Sequence, residues 1–314
     1  MYFPYFRGRQ YELIALRELA ISEKLGNSII PIVEPVKKTS TFDGTYNAFV
    51  GKQKPLALIF NPAVGDFAGS NGFVKTLLPK GTLIPDTQLP SQILPALLMN
   101  ANTPEIAKEL SDRSISPSCE LAILNNRDFL ESYKMQFTMS APRYTLFPDE
   151  RELRRTVTRG KVMFKDNFNK QPKNADYPDD EFYTEDHLYF SDEGYAGFSD
   201  YSIIGDEYNE SGFAPYAVAI HIVYFTEKNT LRVRHFVSDS NDNISDIAGK
   251  FNEAVTKLAN WYADGQQNQL TYALQTLLTY FKNGYYPGLP TIKKLSIMHH
   301  LELVGKFLDR RAGE

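Results

Sequence analysis

Short apolar runs alternate with amphipathic stretches over most of the chain. The runs fall at residues 29–34, 55–61, 82–86, 121–126, 144–149, 161–165 and 216–224, and several end in a polar side chain. Strands buried on both faces read as continuous apolar runs. Between the runs, helical spacing is found at 73–78, 88–100, 103–113 and 149–158, and most clearly at 11–25. There Leu13, Ile14, Leu16, Leu19, Ala20 and Ile21 share one side and Gly26 follows as a stop signal. Thr103 before Pro104 suits a capped helix start, and Asp149 and Glu150 place acids at the positive end of another. Such alternation predicts a parallel sheet with helices outside it.

Two features break the rhythm. Residues 166–192 are polar, contain proline and are rich in Asp and Asn, which reads as a long loop inserted in the body. The runs at 217–225 and 231–237, joined by Thr226-Glu227-Lys228-Asn229-Thr230, read as an antiparallel hairpin. Three strong helical patterns at 247–262, 269–281 and 292–308 complete the chain. The expected fold is α/β: a distorted TIM-like (β/α) barrel with a C-terminal hairpin and helical cap. Residues 1–245 would form the barrel body and 246–314 would pack on it as part of one structural domain.

Composition narrows the partners more than the fold. A formal charge of -4 and a pI near 5.8 supply no overall field for a phosphate backbone, so nucleic-acid binding has no support from net charge. The single cysteine, Cys119, excludes an intramolecular disulfide and reads as a small buried residue. No basic, apolar leader opens the sequence and no run approaches the ~18 apolar residues of a membrane span, so the expected compartment is the cytoplasm and no membrane partner is expected.

In a barrel, polar residues closing the apolar runs share one rim, which groups Glu34, Asn61, Asp86, Lys165 and Asp200 with His221. Glu34, Lys165, Asp200 and His221 are the catalytic candidates, and Arg7, Arg9, Asn61 and His235 the ligand-binding ones. Burial would suit Glu34 to acid or base work, although an ion pair with Arg7 or Arg9 would instead tie down the N-terminal segment. Lys165 could anchor an anion, act as a desolvated amine, or pair structurally. His235 is the expected neighbour of His221 across the hairpin, and with Asp200 the two could form a metal or acid-base cluster, but their spacing matches no zinc signature. Adjacent His299 and His300 point about 100° apart on a helix, so one is expected to face the core and the other solvent or a partner. The glycine-rich stretch 64–72 lacks P-loop and dinucleotide spacing. The aromatic opening, Tyr2-Phe3-Pro4-Tyr5-Phe6, is expected in the core rather than as an exposed patch.

The opening Tyr2-Phe3-Pro4-Tyr5-Phe6-Arg7-Gly8-Arg9-Gln10, with Glu12 and Ala15, and the following Ile30-Pro31-Ile32-Val33-Glu34-Pro35 resemble the start of the Beta protein family of phage and bacterial mobile elements. Phe198-Ser199-Asp200-Tyr201 and the His221 strand are similar to that family's later shared region. Tyr286-Pro287-Gly288-Leu289-Pro290 and Met298-His299-His300-Leu301-Glu302 resemble a bacterial subgroup of unknown function encoded beside a nuclease-like protein. The resemblance implies anti-phage or mobile-element biology and a nuclease-like protein partner, and it implies no reaction. The loop at 166–192 and the helical end depart from the phage pattern. The leading expectation is a subunit that recognises a partner protein or a small anionic ligand at the rim. The alternative is a metal-assisted phosphodiester hydrolase at the same rim, for which a divalent metal would be the cofactor.

Overall fold

The computed structural model describes residues 1–69, 72–77, 89–115, 117–209 and 215–313. Its elements in chain order are β1 (Tyr5–Phe6), α1 (Gln10–Ile21), β2 (Ile32–Val33), α2 (Ser40–Gly51), β3 (Leu56–Ile59), α3 (Gly72–Leu77) and β4 (Ile93–Leu98). Next come α4 (Thr103–Asp112), β5 (Leu121–Ile123), α5 (Leu130–Gln136), β6 (Tyr144–Phe147), α6 (Arg151–Thr156), β7 (Lys161–Phe164), β8 (Asp180–Thr184), α7 (Asp186–Tyr189) and β9 (Gly197–Ser199). The chain continues through β10 (Ala219–Phe225), β11 (Leu231–Val237), α8 (Ile247–Ala263), α9 (Tyr272–Asn283) and α10 (Leu289–Gly313). Contacts divide it into two compact units. One holds 1–22, 27–165 and 186–201, and the other 23–26, 166–185 and 202–314.

The first unit is a distorted TIM-like barrel of eight parallel strands in the order β1-β2-β3-β4-β5-β6-β7-β9. The start of the chain closes it. Tyr2 bridges both Ile29 and Phe198, Phe3 N–H donates to the Phe198 carbonyl at 2.9 Å, and Tyr5 N–H donates to the Asp200 carbonyl at 2.8 Å. Side chains alternate across each strand. Phe3, Tyr5, Ile32, Ala57, Ile59, Ala96, Leu98, Ile123, Leu146 and Phe164 meet in one buried cluster that fills the barrel, so the aromatic opening is core as expected. Closure also requires a close backbone approach, because a Cβ on Gly197 would lie 2.4 Å from the Met1 carbonyl oxygen.

The second unit is built on an antiparallel sheet in the order β10-β11-β8. Trp261 of α8 packs against Tyr224 and Phe236 on one face. On the other, Phe307 of α10 lies 4.7 Å from Phe225, ring centre to ring centre. Thr271 caps α9 by accepting from Leu274 N–H at 3.2 Å. The sequence pattern sets the hairpin within 1–245, whereas the structure groups it with α8, α9 and α10.

Three expectations need correction. Residues 93–98 are a central strand, not part of a helix at 88–100, because a fully buried apolar run has no period that separates strand from helix. The strand expected at 82–86 lies outside the described residues. The segment 166–192 is not a bare loop: it contains β8, which pairs with β11, and α7. Among the described residues, no helix is long and apolar enough to cross a membrane.

Gly197→Ala should lower the unfolding free energy by about 2 kcal/mol, since backbone must shift to admit the methyl group. Gly51→Ala, where nothing lies within 4 Å of the added carbon, should stay within about 1 kcal/mol of the wild type. Urea denaturation of the two variants checks both.

Candidate functional site

Glu34 directly follows β2 and is fully buried at the barrel mouth. Its Oε2 accepts from the Tyr5 hydroxyl at 2.7 Å and from Arg7 Nη1 at 2.5 Å, and its Oε1 accepts from Ala63 N–H at 2.7 Å. The Arg7 guanidinium also lies 5.1 Å from the Tyr5 ring centre and 5.3 Å from that of Tyr201. Burial works against the charge on Arg7, but Tyr5, Glu34 and Tyr201 outweigh it and hold the group firmly protonated. Burial first, then the charge of Glu34, pushes the Tyr5 phenol well up. This is the ion pair that ties the N-terminal segment down. Each oxygen of Glu34 has a fixed donor, so the carboxylate is occupied rather than poised for acid or base chemistry.

The other rim candidates do not join it. Tyr201 packs on the barrel core, so Asp200, one residue earlier, projects to the opposite side. There it accepts from the Tyr2 hydroxyl at 2.6 Å, and that phenol is held protonated by burial and by the Asp200 charge. Lys165 follows the inward Phe164 and is exposed. Asn61 is a bolt between strands: its amide donates to the Leu98 carbonyl at 2.6 Å and accepts from Leu98 N–H at 2.9 Å. Arg9 is the residue before α1, where its N–H donates to Glu12. Asp86 lies outside the described residues. His221 and His235 belong to the second unit.

In that unit the β10/β11 register sets His221 directly opposite His235, and their Nδ1 atoms are 2.7 Å apart. His235 Nε2 lies 3.1 Å from Glu181 Oε1 on β8. Tyr177 stacks on His235 at 4.7 Å, and Phe168 meets His221 edge-on at 5.2 Å. Burial, then His235 and Lys293, lowers the His221 pKa to about 3. Burial lowers that of His235 too, against the pull of Glu181 and Asp180. Both rings are therefore neutral at neutral pH. His221 lines a cavity of about 240 Å³ together with Phe168, Tyr177, Lys170, Lys293 and the buried Ser296. Lys170 also pairs with Glu207 at 2.8 Å.

His299 and His300 are both buried, so neither faces solvent. His299 Nδ1 meets the Thr271 hydroxyl at 2.8 Å while its Nε2–H donates to the Val223 carbonyl at 2.7 Å. His300 Nδ1 meets the Ser202 hydroxyl at 2.8 Å. Among the described residues, no group of three or more His, Cys, Asp or Glu side chains could hold a metal ion, so the metal-assisted reading has no donor set there. The sequence reading missed Glu181, Tyr177, Lys170, Lys293 and Ser296. A signal existed for two of them: Lys293, Ser296 and His300 recur at i, i+3 and i+7 on an otherwise apolar helix stripe.

Arg7→Met should destabilise the barrel by about 3 kcal/mol, because it leaves a buried carboxylate without its cation. The double variant Arg7→Met/Glu34→Gln should cost less than the sum of the single substitutions, in a chemical-denaturation cycle. The buried histidines predict a pH dependence of the same sign as that of paired carboxylates, in a higher pH window. An unfolded histidine titrates near ~6.5, while folded His299 is lowered to about 4, chiefly by burial. As pH falls through that window the unfolded chain takes up the proton first, so stability drops. The urea midpoint should decline between about pH 6.5 and pH 4, less steeply in His299→Asn.

No family model, no curated protein and no solved structure matches this chain.

Proposed function

We propose that this chain is a ligand-recognition subunit, of the kind its resemblance to the Beta protein family implies for bacterial anti-phage or mobile-element systems, and that it takes a small anionic ligand. The ligand's place is the cavity of the second unit rather than the barrel mouth. The observation that carries this reading is the combination of Lys170 and Lys293 with a buried serine and a neutral histidine around one space of about 240 Å³. Lysine ammonium groups favour an anion, although Lys170 shares its charge with Glu207 at 2.8 Å, and the apolar surface of Phe168, Ile203 and Ile292 lowers the dielectric in which they act. The mouth offers less, because Arg7 is held there by a fully buried carboxylate, whereas the Lys170–Glu207 pair is exposed and water screens it. In this reading a nuclease-like protein is the partner that responds to occupancy.

Isothermal titration with benzoate, phenyl phosphate and inorganic phosphate tests it. At least one of these anions should bind the wild type, and Lys293→Met should weaken that binding tenfold or more. Absence of binding by all three, or undiminished binding in Lys293→Met, would count against the cavity as an anion site.

A further inference from the structure

His221 lines the cavity and pairs with His235 across the hairpin. Its Nδ1 is engaged at 2.7 Å, while its Nε2 makes no hydrogen bond with any described residue and is not sealed from solvent. Which nitrogen of each ring carries the proton is decided elsewhere. Glu181 can only accept when ionised, so His235 must turn an Nε2–H toward it at 3.1 Å. A neutral His235 then has a bare Nδ1, which accepts from His221 Nδ1–H. The proton on His221 is thereby committed to the Nδ1 side, and a lone pair is left at Nε2, the solvent-reached nitrogen of this cavity-lining residue. The opposite assignment would set a bare His235 Nε2 against a carboxylate, with no proton between them.

We infer that the chain Glu181, His235, His221 locks His221 as a hydrogen-bond acceptor, so that the cavity selects aromatic anions that carry an O–H or N–H donor. This rests on the anion reading above and narrows it. The aromatic part follows from Phe168 and Tyr177, whose rings form walls of the same space, and the anionic part from Lys170 and Lys293. Burial supports the lock. The His235 side chain is 0% exposed and that of Glu181 18%, so water competes little for the bonds that hold the tautomer. Glu181 also accepts from the Asn169 amide at 3.3 Å, which fixes the carboxylate's position. Glu181 and His235 are positioning residues, and His221 is the one that meets the ligand.

A site built to accept from a ligand hydroxyl discriminates strongly against an analogue without that proton, since its own lone pair is then left unpaired. The test compares 3- and 4-hydroxybenzoate with 3- and 4-methoxybenzoate by isothermal titration. The pairs share ring and carboxylate and differ in the donor. One hydroxy compound should bind tenfold or more tightly than its methoxy partner. Glu181→Gln, outside the cavity, should still bind both members of that pair but with less than threefold preference, because a carboxamide can serve either tautomer of His235. His221→Phe should lose the preference as well. Nitrogen-15 NMR of the wild type should read His221 as protonated at Nδ1 and bare at Nε2, with His235 the reverse, and Glu181→Gln should mix the two. Equal binding of both pairs to the wild type would overturn the donor selection while leaving the anion reading intact. A preference that persists in Glu181→Gln, with unchanged tautomers, would overturn the lock. If benzoate, phenyl phosphate and phosphate bind but no hydroxybenzoate does, the aromatic donor class falls; if nothing binds, the anion reading falls with it.

Discussion

A parallel barrel has no exposed edge only if its first strand reaches its last, and here that closure depends on the opening residues of the chain. Backbone groups of Met1, Phe3 and Tyr5 bond to the β9 segment, while those of Tyr2 bond to Ser28 and Ile30 and Tyr5 pairs with Ile32 on the β2 side of the ring. The other neighbouring strands follow one another along the chain, save that the stretch between β7 and β9 also supplies β8 to the second unit. This seam joins positions nearly two hundred residues apart, so its contacts form against a large loop-closure entropy. The Arg7–Glu34 pair lies one residue beyond β1 and fixes the seam's upper end, with Tyr5 and Ala63 completing the carboxylate's shell. A buried charge needs that many partners. The conspicuous carboxylate at the mouth is therefore explained by closure of the fold, without any reaction.

The strand and helix order was legible because burial on both faces leaves uninterrupted apolar runs, as in 56–59, 121–123 and 161–164. The misreading at 93–98 has the same origin: Ile93-Leu94-Pro95-Ala96-Leu97-Leu98 is apolar throughout, and only tertiary pairing makes it a strand. β9 is three residues long and β8 is mostly polar, so neither has a pattern to detect. The shared rim failed for a different reason. A polar residue that closes an apolar run lies near the rim, but whether it points in or out depends on strand parity. Glu34 follows the inward Ile32 by two and faces the mouth, whereas Asp200 precedes the inward Tyr201 by one and Lys165 follows the inward Phe164 by one. Parity can be read from sequence only when the interior register of each strand is already known.

The pairing of His221 with His235 was legible from the hairpin, since a five-residue connection between the two runs sets them opposite each other. Their third partner was not, because Glu181 comes from a strand that sits in a polar stretch and joins the sheet through a bulge near Leu231. This third strand changes what the pair can do. Two neutral imidazoles alone share one proton between two Nδ1 atoms and have no preference for direction. A carboxylate at one end breaks that symmetry and points the chain.

The histidines of the second unit separate into two kinds by the same bookkeeping. His299 bonds through both ring nitrogens to groups of its own unit, Thr271 and the Val223 carbonyl, so its neutrality serves the packing of α10 on the sheet. His221 is just as reluctant to be charged, yet only one of its nitrogens is used internally. Its Nε2 is open to solvent, so water can bond it in the free protein and a ligand donor can take that water's place. Leaving that atom at the wall of a space shared with Lys293 and Ser296 is consistent with a bond that a ligand completes.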